Sequence, residues 1–302
     1  MKILLAVSGG VDSVAMLHSL VNADDFAKLN FVRVKYVVAY FDHGIRTESA
    51  ADGRFVKDLA EKYDIDFEIG SASLGIDASE SIARIARWDF LNKTKDKYNT
   101  DFIATAHHSD DVFETQLINL IRGSGRRGVT VLSNTKNIIR PLINRTKSEI
   151  YEYALKNNLE FVEDSTNLDT KYLRNKLRLS IIPRLGSVRT ELKKYLAKVN
   201  ELNPLIDEEV RSILKTLVIQ TNNNISINRS KFNALPQSVK QELIREALDK
   251  MDVIHDKQKI SSAMIKRLCS FASRKDSNRY LHISKYLQVY ISKENLVLEI
   301  RK

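Results

Sequence analysis

The chain has one cysteine, Cys269, among 302 residues. No internal disulfide can form, and a zinc site built on cysteines is not expected. No apolar run approaches the roughly 18 residues that a membrane span needs. The opening Met-Lys-Ile-Leu-Leu-Ala-Val is too short for a signal-peptide core and runs straight into a glycine turn. There is no internal repeat and no extended low-complexity tract. What is present is ordinary globular material: 43% hydrophobic and 28% charged residues are enough for a real core and argue against wholesale disorder. The length suits two domains or one large one. The expectation is a soluble, cytoplasmic protein with no membrane partner.

Charge is unevenly spread. The net balance is +10, but residues 171–302 carry 27 Lys/Arg against 13 Asp/Glu, whereas the first 170 carry 21 against 25. A mildly acidic front followed by a basic rear suggests a catalytic unit joined to one that binds a polyanion. The plain alternative is a compositional bias toward lysine.

In the front half, apolar runs alternate with amphipathic stretches. Residues 3–7, 36–41, 67–69 and 102–106 read as strands. Residues 11–21, 51–63, 81–97 and 110–122 read as helices. This alternation predicts an α/β fold, a doubly wound parallel sheet with helices on both faces. Ligands of such sheets sit at the carboxyl ends of the strands, so the polar stretches 8–13, 42–46 and 107–114 should converge on one cleft. Strand signals fade after Ile143, and helices are expected at 148–158, 170–182, 190–199 and 201–219. Asn222-Asn223-Asn224 is a polar break. It divides a catalytic domain, 1–221, from a small basic α+β domain, 222–302. The latter should hold a strand at 225–227, helices at 238–250 and 263–271, and a hairpin from 286–291 and 296–300.

Ser8-Gly9-Gly10-Val11-Asp12-Ser13 ends a strand and opens a helix. The glycines admit a phosphate close to the backbone, helix-start N–H groups hold an anion, and Asp12 can help coordinate Mg²⁺. The Gly-Lys-Ser/Thr ending of a Walker loop is absent. An ordinary glycine turn with a serine cap is the alternative. His107, Asp111 and Glu114 fall at i, i+4 and i+7, one helix face at a strand end. With Asp110 they offer hard oxygens for Mg²⁺ or a cationic amine, or else simply a solvated helix start. Asp42 at another strand end either contacts substrate or caps an Asx turn. Arg84 and Arg87, one turn apart, can clamp a phosphate. The Arg122–Gly128 segment is a basic glycine loop that suits an RNA backbone or merely ends a helix. Arg174, Asn175 and Arg178 share a helical face toward an anion. Trp88 reads as core.

Ser-Gly-Gly-Val-Asp-Ser is the hallmark of the N-type ATP pyrophosphatases, and the chain resembles that superfamily, whose fold is adenine nucleotide α-hydrolase-like. Within it the chain is similar to the tRNA(Ile)-lysidine synthetases. Further segments carrying the match are Asp42-His43-Gly44-Ile45-Arg46, Ala83-Arg84-Ile85-Ala86-Arg87-Trp88-Asp89-Phe90, Thr105-Ala106-His107-His108-Ser109-Asp110-Asp111-Val112-Phe113-Glu114-Thr115, Arg122-Gly123-Ser124-Gly125-Arg126-Arg127-Gly128, Arg140-Pro141-Leu142, Glu163-Asp164-Ser165-Thr166-Asn167 and Arg174-Asn175-Lys176-Leu177-Arg178. They keep their order through residue 183, while 222–302 matches only loosely and is shorter than the family often carries. The resemblance implies that ATP adenylates the wobble cytidine of a CAU-anticodon tRNA(Ile) and that free L-lysine then displaces AMP. It places ATP on Ser8, Gly9, Gly10, Val11, Asp12, Ser13, Arg84 and Arg87, with Mg²⁺ on Asp12. It assigns catalysis to Asp42, Asp110, Asp111, Glu114, Arg174 and Arg178, and contact with lysine or cytidine to His107, His108 and Arg122. Asp42 and Asp111 both remain open as the acid that takes the amine's proton. The sequence leaves the oligomeric state open, with a homodimer as one option. A tRNA thiolase of the same superfamily is the competing enzyme, and a catalytically silent RNA-binding protein the competing class.

Overall fold

The computed structural model describes residues 1–27, 33–42, 44, 49–72, 80–129, 137–163, 173–220, 224–251, 261–284 and 287–300. Of the stretches singled out above, His43, Ile45, Arg46 and residues 164–167, 170–172, 221–223 and 286 lie outside this set. The chain divides into two compact units, Met1–Leu196 and Ala197–Lys302.

The first unit opens with β1 (Lys2–Ala6), α1 (Val11–Val21), β2 (Lys35–Asp42), α2 (Ser49–Lys62), β3 (Asp66–Ser71), α3 (Glu80–Lys97), β4 (Phe102–Thr105) and α4 (Ser109–Ile121). The short α5 (Arg126–Val129), β5 (Ile138–Ile139), α6 (Lys147–Lys156) and α7 (Leu173–Lys176) follow. Its strands run parallel in the order β3-β2-β1-β4-β5. Ile3, Leu4 and Leu5 are wholly buried because β1 is covered on both faces. Ile3 and Leu5 pack with residues of α1, α2 and α6, including Leu17, Val56 and Ile150. Leu4 points to the opposite face, with Leu91 and the partly buried Trp88 of α3. Each such side chain contributes roughly 1.5–3 kcal/mol through burial. Chain order reverses between β1 and β4, so the crevice of an open α/β sheet lies at their carboxyl ends.

β5 escaped the sequence reading because two residues carry no periodicity. Residues 177–181 form a π-helical turn and 182–185 a 3₁₀ turn in place of one smooth helix. The helices expected at 190–199 and 201–219 are a single helix, α8 (Val188–Leu217), that continues through Pro204. Proline removes one N–H and crowds the preceding turn, which here does not end the helix.

The second unit holds β6 (Val218–Gln220), β7 (Asn224–Asn228), α9 (Arg229–Asn233), α10 (Gln237–Lys250), α11 (Ser262–Ala272), β8 (Arg279–His282), β9 (Leu287–Ile291) and β10 (Asn295–Ile300). An antiparallel sheet, β6-β7-β10-β9-β8, packs with α10, α11 and the end of α8 around Val210, Leu214, Phe232, Leu243 and Leu268. β9 and β10 are the expected hairpin. The strands on either side of residues 221–223, β6 and β7, pair with each other, whereas the division into compact units falls after Leu196. No helix among the described residues is long and apolar enough to cross a membrane.

Candidate active site

At the end of β1 the chain enters Ser8-Gly9-Gly10. Gly9 stands at φ +88°, a left-handed backbone, and a Cβ there would meet Val56 at 3.4 Å and Phe55 and Val162 at 3.5 Å. The Val162 N–H donates to the Gly9 carbonyl at 3.0 Å and pins this conformation. Ser13 faces inward: its hydroxyl donates to the Gly10 carbonyl at 2.9 Å and accepts the Ser8 N–H at 3.1 Å. Among the described residues no side chain caps α1. The amides at its first turn therefore form an anion seat at the switch point of the sheet.

Asp12 stands in that first turn. Lys147, the first residue of α6, donates to both Asp12 carboxylate oxygens at 2.8 Å. Its backbone N–H donates to Asp110 Oδ2 at 3.0 Å. One residue thus ties the glycine turn to the acids that follow β4.

Those acids are arranged by the start of α4. His108 caps the helix, its Nδ1 accepting the Asp110 N–H at 3.3 Å, while Asp111 Oδ2 accepts the His108 N–H at 3.1 Å. With Nδ1 accepting, the ring proton belongs on Nε2, which lies 3.5 Å from Asp111 and 3.9 Å from Asp12. His107 pairs through Nδ1 with the Thr105 hydroxyl at 2.8 Å. Burial pushes its imidazole down to about 4, against the pull of Asp111 and with the help of Arg140, Arg87 and Arg174. It is neutral near pH 7.

The four acids have different surroundings. Glu114 is 2% exposed and fully engaged: Arg178 donates to its two oxygens at 2.6 and 2.9 Å, and Arg174 at 3.2 Å. Arg174 also donates to Thr115 Oγ1 at 2.7 Å. Asp110 accepts from Arg189 at 2.7 Å and from Lys193 at 3.0 Å. Burial would raise its carboxyl, but the Lys147 N–H and the Lys193 and Arg189 cations hold it below the usual range. Asp12 is taken by Lys147. Asp111 is the least committed, with Arg178 at 3.4 Å as its nearest cation. Glu114 thus anchors two arginines and is not an open metal or amine ligand. Among the described residues no group of three or more His, Cys, Asp or Glu is arranged to hold a metal.

The other expected members have different surroundings. Asp42 ends β2, next to β1, and its carboxylate accepts the Gly44 N–H at 2.7 Å, the Asx-turn alternative. Arg122 follows the last turn of α4, about 16 Å along the helix from Asp111 at 1.5 Å per residue. Arg84 is exposed, its guanidinium 5.9 Å from the Trp88 ring centroid. Arg87 is drawn in: burial, Arg84 and Arg174 all lower its pKa, and its buried Nε meets no hydrogen-bond acceptor among the described residues. Lys147, Arg189 and Lys193 were not foreseen. The i, i+4 spacing of Arg189 and Lys193 was a usable signal; for Lys147 only its place at a capped helix start was.

A profile of the PP-loop domain matches residues 1–185. The chain belongs to the PP-loop domain family. Within that family the chain is 37% identical over 215 residues to the tRNA(Ile)-lysidine synthase of Thermotoga maritima, covering 69% of this chain and 47% of that protein. The tRNA(Ile)-lysidine synthase of Bacteroides thetaiotaomicron is 36% identical over 231 residues, 72% of this chain and 52% of the relative. The chain spans about half the length of the curated relatives it matches. Among solved structures, the U34-tRNA thiolase of Methanococcus maripaludis with its 4Fe–4S cluster aligns with a TM-score of 0.54 at 20% identity, covering 67% of this chain and 71% of that one. That likeness concerns the PP-loop fold alone.

Proposed function

We propose that this PP-loop protein attaches free L-lysine to C2 of the wobble cytidine of a CAU-anticodon tRNA(Ile) at the expense of ATP. Cytidine O2 attacks the α-phosphorus of ATP and pyrophosphate leaves. The lysine ε-nitrogen then attacks C2, and AMP departs with the former O2. The observation that carries this reading is an uncapped anion seat beside one lightly engaged carboxylate, in a chain whose relatives bear that enzyme's name.

The α1 amides and Ser8 would hold the phosphates, Ser13 would brace the turn from its buried side, and Arg87 Nε, without an acceptor among the described residues, could serve an anion. Magnesium is usually held by one or two carboxylates together with substrate phosphates, so Asp12 fits as a single protein ligand once nucleotide is bound. The ion would neutralise charge on the departing pyrophosphate. The amine, with a solution pKa near ~10.4, must lose a proton before it attacks. Of the two acids left open by the sequence, Asp111 suits that task better, because Asp42 closes its own turn. Arg174 and Arg178, braced by Glu114, would face the negative charge of the adenylate. A splayed anticodon base is the form in which single-stranded RNA enters such a cleft. Sulfur transfer lacks a thiol here: Cys269 is buried in the second unit's core and its pKa is pushed up to about 11.

The test is mass spectrometry of a tRNA(Ile) transcript incubated with the protein, ATP and lysine. A gain of one lysine less one water at the wobble cytidine is expected. Asp111→Asn should let the adenylated tRNA accumulate. ATP cleavage without any lysine adduct on the wild-type reaction would overturn the assignment.

A further inference from the structure

The seat that a nucleotide-borne metal would use is closed by the protein itself. Lys147 Nζ lies 2.8 Å from both oxygens of Asp12, the position a bidentate cation would take. The lysine is placed there by construction. Thr146 caps α6, accepting the Glu149 N–H at 3.2 Å, while Glu149 accepts the Thr146 N–H at 2.7 Å. Arg145, two residues before Lys147, donates from Nε to the Phe26 carbonyl at 3.0 Å, and its own carbonyl accepts the Ser109 N–H at 2.8 Å. Tyr153, on the same helix, is bonded to His18 Nδ1 at 2.7 Å and to Asp24. The start of α6 is thereby fixed against both α1 and α4, and the Lys147 ammonium falls on Asp12.

The other charges around Asp12 do not favour a bare metal ion. Arg178 takes Glu114 and approaches Asp111, and Arg189 and Lys193 take Asp110. A divalent ion arriving alone must displace Lys147, and the one lightly engaged carboxylate among the described residues around it, Asp111, already has the Arg178 guanidinium at 3.4 Å. An ion arriving on a triphosphate brings its own oxygens, and the released ammonium gains phosphate charge to face. We propose that Lys147 is a positioning residue that acts as a built-in counter-ion, keeping divalent metal off Asp12 until nucleotide is bound. This rests on the reading of Asp12 as a metal ligand.

Manganese, which reports its own binding by electron paramagnetic resonance, tests this on the full chain. Wild type, Lys147→Met and Lys147→Met/Asp12→Asn are titrated with Mn²⁺, with and without a non-hydrolysable ATP analogue. The methionine variant keeps the backbone bond to Asp110, and circular dichroism verifies its fold. It should bind Mn²⁺ without nucleotide about fivefold or more tightly than wild type, the factor equivalent to roughly 1 kcal/mol of ion pairing. Adding Asp12→Asn should abolish that gain, and the analogue should bring wild type and the single variant together. Equal Mn²⁺ affinity of wild type and Lys147→Met without nucleotide overturns the counter-ion role, whether both bind or neither does. If Asp12→Asn also leaves Mn²⁺ binding unchanged in the presence of the analogue, it is the metal-ligand reading of Asp12 that fails.

Discussion

Glu114 shows how much one buried charge can organise. It lies inside α4 with almost no solvent contact and is matched by the side chains of Arg174 and Arg178, which come from 60 and 64 residues further along. Removing one partner of a buried pair strands the others, and such losses usually exceed the worth of the bond itself. Glu114→Ala should cost about 2–3 kcal/mol in urea unfolding, toward the lower end because both arginines keep some solvent. It should also slow lysine transfer more than ATP binding, since the anion seat lies on α1. Unchanged stability would show that the arginines are held by other contacts. His107 offers a pH test. Its pKa is depressed to about 4 from an unfolded value near 6.5, so its contribution is present above about 6.5 and is lost as pH falls through about 4. NMR titration of the imidazole should give a midpoint near 4. His107→Gln should flatten the acid-side loss of stability across that window.

At the scale of elements, the site depends on helix starts held at fixed positions. Tyr153 ties α6 to α1 through His18 and Asp24, with its ring stacked on Phe26 at 4.1 Å. Tyr153→Phe keeps the stack and leaves two polar groups short of a partner, so a loss of about 1–3 kcal/mol is expected from thermal unfolding. Weaker ATP binding should accompany it, because Lys147 begins the same helix. At the glycine turn, Gly9→Ala forces a side chain into a left-handed backbone, for about 1–2 kcal/mol, with Val56 only 3.4 Å away. Retained stability and retained ATP affinity in that variant would show that the turn can relax. Much of this layer was legible in the chain: buried parallel strands betray themselves as unbroken apolar runs, and Ser8–Ser13 and His107–Glu114 announce strand ends. Pairings between distant charges were not legible. Nothing local in Arg174 or Arg178 names Glu114 as partner, and Lys147 looks like any lysine at a helix start. The split expected near Asn200 does not occur: α8 runs on through Asn200 and Pro204, burying Leu196 in the first unit and Val210 and Leu214 in the second.

At the scale of the whole molecule, the question is what the basic rear of the chain does. A cut near Asn222 would seem to remove it cleanly, but that cut separates β6 from β7 and strips Val210 and Leu214 of their core. The fragment would expose apolar surface and confuse weak binding with misfolding. Surface charge can instead be removed with the fold intact. Lys266 and Arg267 are exposed on α11, while Ile265, Leu268 and Cys269 of the same helix fill the core. Replacing both with glutamine leaves the buried face untouched. Polyanion binding releases counterions, so log K falls linearly with log salt by roughly 0.7–0.9 per neutralised phosphate. If both side chains meet the RNA backbone, the double variant should bind tRNA more weakly and lose about 1.5 from the slope. Its ATP affinity, set by the turn after β1, should not move. A variant with full tRNA affinity and the wild-type slope would remove α11 from the RNA surface and leave its charge as composition alone.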